Sequence, residues 1–183
     1  MAIPTIEINA LDIVHPDVLN IEKNLLEKGN QLIMKFGGMS DGVGQMVTNV
    51  TRLAHIGEVR VLRLWSHGFP GGQGVSQGLP DARVSARGQR VGISRENFPD
   101  VAPELARLVP YFGMGGWMEL RGCTVAAGYD GSDLLSMLAT LIKVPVWAAI
   151  SNQPIGPIEW SGPVMKMLPN ARQGQLMSGP SIQ

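Results

Sequence analysis

Cys123 is the only cysteine in the 183-residue chain, and His67 precedes it by 56 positions. A thiol and an imidazole are the residue types from which nucleophilic acyl transfer is built. The thiolate attacks and the thiol hardly does, so the sulfur needs a base close by. An imidazole, whose ordinary pKa is about 6.5, is the usual one. The oxyanion that develops on the attacked carbonyl needs backbone N–H donors, and glycine lets the backbone come close to a substrate. Gly68 follows the histidine and Gly122 precedes the cysteine. Taken singly, each residue has a plainer explanation: a lone cysteine is commonly an inert core thiol, and a histidine beside glycines is commonly a turn residue. Their order and setting together point to a dyad, with the N–H groups of Gly68 and Cys123 holding the oxyanion.

The elements that must position the pair follow from periodicity. Thr5 to Val14 reads as a strand, and so does Leu32 to Phe36, stopped by Gly37-Gly38. Ser40 or Asp41 offers an N-cap to a helix on which Val43, Met46, Val47, Val50 and Leu53 recur, ending at Gly57. Val59 to Trp65 is a strand running straight into Ser66-His67-Gly68. Arg83 to Ile93 reads as a hairpin, and Pro99-Asp100 opens a helix carrying Ala102, Leu105, Leu108 and Val109 on one face. Trp117 to Arg121 is a strand that ends at Gly122-Cys123. Asp130 or Ser132 caps a helix with Leu134, Leu135, Leu138, Leu141 and Ile142 along one side, and Val144 to Ile150 is the next strand. A short strand is expected around Ile158 to Trp160, and the last ten residues read as a flexible tail.

This alternation predicts an α/β three-layer sandwich with a mostly parallel central sheet. The chain reads as one domain over 1–183, with a core of about 30–162 and a C-terminal extension over 163–183. In such sheets functional groups gather at the carboxyl ends of strands. His67 and Cys123 both sit just past a predicted strand end.

Order and spacing also carry a resemblance. Papain-like enzymes place the cysteine first, whereas caspases place the histidine about 50 residues before it. Leu62-Arg63-Leu64-Trp65-Ser66-His67-Gly68 resembles the strand-plus-His-Gly motif of the caspase-like peptidases, and Glu119-Leu120-Arg121-Gly122-Cys123 resembles their strand-plus-small-residue-Cys motif. The chain is more closely similar to an uncharacterised bacterial domain of that superfamily, found near the start of large repeat-bearing surface proteins. The shared patterns are Ser66-His67-Gly68-Phe69-Pro70-Gly71, Gly122-Cys123-Thr124-Val125-Ala126-Ala127-Gly128 and Val146-Trp147-Ala148-Ala149. The similarity covers roughly residues 58 to 162. It implies a caspase-like fold and a cysteine endopeptidase acting on protein or peptide substrates.

In caspases the residue two before the cysteine lines the pocket for the residue preceding the cleaved bond, and Arg121 stands there. The resemblance implies that Arg121 offers a cation to an acidic substrate side chain, with Ser66 and Gly122 also on the substrate side. The competing reading is a structural ion pair of Arg121 with Glu119 or Asp130. Caspases carry Gln-Ala-Cys where this chain has Arg121-Gly122-Cys123, so their substrate preference does not transfer.

Lys plus Arg equals Asp plus Glu at 15 each, with no basic run, which argues against nucleic-acid or anionic-membrane partners. Hydrophobic residues at 44% and charged residues at 16% mark a globular chain. One cysteine excludes an internal disulfide and suits a reducing compartment; with no signal-like start, a cytoplasmic location is expected. His15, His55 and His67 have no cysteine or carboxylate at metal-ligand spacing, so neither metal nor cofactor is expected. Gly37 to Gly42 lacks the Lys-Ser/Thr pair of a phosphate loop, and Gly71 to Gly78 reads as a rim over a peptide. Met114, Met118, Met165 and Met167 are expected to fill core gaps. Two alternatives stay open: a catalytically silent module that binds a regulatory protein partner, and a thiol hydrolase or acyltransferase on a non-peptide substrate.

Overall fold

The computed structural model describes residues 6–29, 32–37, 41–75, 92–154 and 157–182. Five strands run parallel: β1 (Ile6–Asp12), β2 (Leu32–Phe36), β3 (Val59–Trp65), β7 (Phe112–Leu120) and β8 (Val146–Ala149). Antiparallel β9 (Pro163–Met167) and β10 (Gln175–Ser178) extend them into one seven-stranded sheet of order β10-β9-β8-β7-β3-β1-β2. A small second sheet joins β4 (Gly68–Phe69), β5 (Gly72–Gly74) and β6 (Gly92–Ser94).

Right-handed crossovers then decide which face each helix covers. From β1 to β2 the chain steps toward one edge, and α1 (Val18–Lys28) lies on that crossover. From β2 through β3 and β7 to β8 it steps toward the other edge. The helices on that path, α2 (Gly42–Leu53), α3 (Phe98–Leu105) and α4 (Gly128–Ile142), therefore lie on the opposite face. The packing agrees. Val43, Met46, Val47 and Val50 of α2 and Leu134, Leu135, Leu138 and Ile142 of α4 share one core with Ile8, Leu62, Leu64, Met118 and Leu120. Ile21 and Leu25 of α1 pack on Leu11 and Trp65 across the sheet. The result is the three-layer α/β sandwich that the sequence predicts.

The face under α1 carries buried charge at positions where the period of two would otherwise put apolar residues. Arg63, fully buried, donates from Nη1 to Glu7 at 2.7 Å and from Nε to Glu119 at 3.3 Å. The indole N–H of Trp117 donates to Glu119 at 2.8 Å and that of Trp65 to Asn9 at 3.0 Å. Parallel register sets Asn9, Arg63 and Glu119 side by side on β1, β3 and β7. Buried charge persists only when paired in this way.

Several elements differ from the sequence reading. The helix α1 lies where that reading places no element, although Val18, Ile21 and Leu25 recur at helical spacing. β7 begins at Phe112 rather than Trp117, its first half hidden by Gly113, Gly115 and Gly116. Asp41 does cap α2, accepting the Gly44 N–H at 2.9 Å. The strong helix α4, however, starts at Gly128 with no side-chain cap, and Asp130 instead pairs with Arg95 at 3.0 Å. Leu108 and Val109 fall in a 3-10 helix (Ala106–Tyr111) after α3, between two prolines that each remove an N–H. Ile158 to Trp160 is not a strand; Pro163–Met167 is. The expected tail is not loose: β10 joins the sheet and Ile182 is buried against Ile158 and Trp65. Met118 and Met167 are core residues, but Met114 is fully exposed. The expected hairpin over Arg83 to Ile93 falls largely outside the described residues, as do positions 38–40 and 76–78.

Candidate active site

Four parallel strands deliver their carboxyl ends to one rim, and the loops beyond them line a cavity of about 410 Å³. His15 and Asp17 follow β1, Ser66 and His67 follow β3, Arg121 and Cys123 follow β7, and Asn152 and Gln153 follow β8. The strand order reverses between β1 and β3, which is where open α/β sheets form their binding crevices. His67 and Cys123, expected on one rim of adjacent parallel strands, face this one cavity.

Two glycines bring their loops into backbone contact. A Cβ on Gly68 would stand 2.7 Å from the Cys123 carbonyl oxygen and 2.8 Å from its nitrogen. One on Gly122 would stand 2.7 Å from the Gly68 α-carbon and 2.8 Å from its nitrogen. No other residue type fits at either position. Just past the sulfur, Thr124 takes a left-handed φ of 53°, which a β-branched side chain rarely adopts. Such a residue costs about 1–3 kcal/mol and survives where the surroundings over-determine it. Here the Thr124 N–H donates to Ser151, the Ala126 N–H to Ala149 and the Ala127 N–H back to Thr124, at 3.1, 2.9 and 2.8 Å. Cys123 thus stands at the head of a tight, strained turn.

The thiol is half-buried. Its Sγ accepts the Gln153 N–H at 3.4 Å and donates to the Gln153 carbonyl oxygen at 3.6 Å. Gln153 is itself pinned, its side chain accepting from the Ser161 N–H at 2.9 Å and donating to the Ser161 carbonyl at 3.0 Å. His67 is exposed and stacks on His15, ring centroids 5.1 Å apart and planes 30° from parallel. Among the described residues its ring makes no hydrogen bond to the sulfur. His15 accepts the Asp17 N–H on Nδ1 at 3.2 Å, so its neutral ring carries the proton on Nε2. Burial pushes the His15 imidazole below its usual range and repulsion from His67 adds to this, against the opposing pull of Asp17 and Asp12.

The residues expected on the substrate side are placed differently. Arg121 is buried and its ion pair is with Glu119, not Asp130: Nε donates to that carboxylate at 2.7 Å and Nη1 to the Ile158 carbonyl at 2.9 Å. Nη2 lies 2.6 Å from the same Glu119 oxygen without a hydrogen bond of its own. The guanidinium is sandwiched between Trp160, 3.8 Å from its ring centroid, and Trp65, at 4.9 Å. Burial lowers its proton affinity, and Glu119 opposes that shift. It forms a wall of the cavity with its guanidinium paired to Glu119, a carboxylate that it shares with Arg63. Ser66 is buried and donates its hydroxyl to Asp12 at 2.7 Å, which braces the His67 loop against the end of β1. Gly122 packs against the Gly68 backbone. Sequence reasoning missed His15, Asp17 and Gln153; applying the strand-end rule to β1 and β8 as well would have found them.

Fold and site together define an α/β sandwich with an imidazole- and thiol-lined cleft over the carboxyl ends of its parallel strands. Comparisons with protein-family models, with curated protein sequences and with solved structures found no match to this chain. Among the described residues, no group of three His, Cys, Asp or Glu side chains is disposed to hold a metal ion. No helix among them is long and apolar enough to cross a membrane.

Proposed function

We propose that the chain is a caspase-like cysteine endopeptidase in which His67 and Cys123 form the catalytic dyad. The observation that carries this reading is the interlock of Gly68 with Gly122 and Cys123, which sets both loops around one cavity. His67 takes the thiol proton as Sγ forms a bond to the scissile carbonyl carbon. The N–H groups of Gly68 and Cys123 receive the oxyanion, and the C–N bond breaks as His67 returns the proton to the leaving amine. Water, deprotonated by the same imidazole, then hydrolyses the thioester and regenerates the thiol. The substrate is a protein or peptide, and the single thiol suits a reducing compartment such as the cytoplasm.

The dyad forms as the exposed His67 ring turns, still against His15, to point a nitrogen at the sulfur. Catalytic hydrogen bonds in unliganded sites are often long and tighten when substrate binds. The test is alkylation. Iodoacetamide or a peptide acyloxymethyl ketone labels Cys123 near pH 7 faster than a free thiol, and His67→Ala slows labelling by about a hundredfold or more. A rate no faster than that of a simple thiol, unchanged by His67→Ala, overturns the reading.

A second reading, a catalytically silent binding module, is favoured by one feature: both hydrogen bonds of the sulfur go to the Gln153 backbone and, among the described residues, none to His67. Slow alkylation would select it.

A further inference from the structure

His15 takes no part in the bond-making steps above, yet its ring lies directly against His67. It is firmly held. The Asp17 N–H donates to its Nδ1, the His15 N–H donates to the Asp12 carbonyl at 3.0 Å, and the Val18 N–H donates to the His15 carbonyl at 3.1 Å. Asp12 also receives the hydroxyl of Ser66, the residue just before His67. The turn after β1 and the loop after β3 are therefore joined twice, once through Asp12 and Ser66 and once through the stacked rings. No hydrogen bond among the described residues fixes the His67 ring, so the stack is what sets its plane.

We propose that His15 is a positioning residue for His67: its pinned ring supplies the flat face along which the second imidazole swings to present a nitrogen to Cys123. The proposal rests on the dyad reading. It assigns His15 no proton transfer and no contact with substrate. What His15 contributes is an aromatic surface that limits the directions an otherwise exposed ring can take. A general base is effective only within a narrow range of geometry, and a misplacement of an ångström costs about a hundredfold in rate.

The experiment compares iodoacetamide alkylation of Cys123 at pH 7 in the intact chain and in His67→Ala, His15→Ala and His15→Phe, with near-UV circular dichroism to confirm folding. His15→Ala should slow alkylation by about ten- to a hundredfold. His15→Phe keeps a planar face and loses the titratable nitrogens, so it should react at close to the wild-type rate. Should His15→Ala fail to fold, His15→Gln, of similar length but without a ring, takes its place. A wild-type rate in His15→Ala beside a slowed His67→Ala overturns the positioning role and leaves the dyad standing. Equal slowing in folded His15→Ala and His15→Phe overturns the stack as the means. An unslowed His67→Ala overturns the dyad, and the positioning role with it.

Discussion

The α-carbon of Gly68 rests on the peptide of Cys123, close enough that a methyl group there would also strike Cγ2 of Val125 at 2.5 Å. This contact makes the His67 loop and the Cys123 turn one unit rather than two neighbours. It follows from parallel pairing of β3 with β7, in which Leu64 stands beside Leu120 and the two strands end within one residue of each other.

Gly68→Ala should therefore force the loops apart. Overpacking a tight contact costs about 1–3 kcal/mol, read as a lower midpoint in urea, and the thiol should alkylate more slowly. A variant with unchanged midpoint and unchanged rate would show that the loops do not depend on each other.

Arg121 offers a prediction about specificity. Its guanidinium is buried, paired to Glu119 and covered by two indoles, so cleaved-peptide profiles should show no preference for an acidic residue before the scissile bond. Arg121→Ala leaves Glu119 without its nearer partner, and breaking a buried pair costs about 3–5 kcal/mol. A selective loss of acidic substrates in a variant of wild-type stability would refute this and restore the pocket role.

His15 ties stability to pH. Burial, reinforced by His67, holds its proton affinity in the fold below the ordinary value of 6.5, while Asp17 and Asp12 oppose. The unfolded chain then binds more protons than the folded one, so stability from this group is complete above about pH 6.5 and is lost as pH falls from there through the lower folded value. His15→Phe has nothing to protonate, and its melting temperature should fall less between pH 7 and pH 5 than that of the parent. Parallel slopes for the two proteins would remove His15 as the source.

Ile182 tests the tail. It is 3% exposed and completes the small core with Leu11, Ile21, Trp65 and Ile158. Ile182→Ala should cost about 2 kcal/mol or more. Chemical denaturation indistinguishable from the parent would mean that the segment after β10 docks without contributing.

The sandwich was legible because its signals are local. Leu32 to Phe36, apolar except for Lys35, and Val59 to Trp65, rich in β-formers but interrupted by Arg60 and Arg63, each run up to a glycine- or histidine-bearing loop, and α2 and α4 each show one apolar stripe. His67, Gly68, Gly122 and Cys123 could be singled out for the same reason, since each sits in a short motif at a strand end. What escaped depends on partners far away in sequence. Arg121 looks like a free cation until β7 sets Glu119 on the same face and the chain returns Trp160 to cover it. Ile182 looks like tail until the final strands bring it back to Trp65. His15 is an ordinary turn residue until β1 and β3 pair and stack it on His67. Residue order along one segment determines periodicity and turns; which segments meet is decided only when buried area and paired charge are balanced over the whole fold.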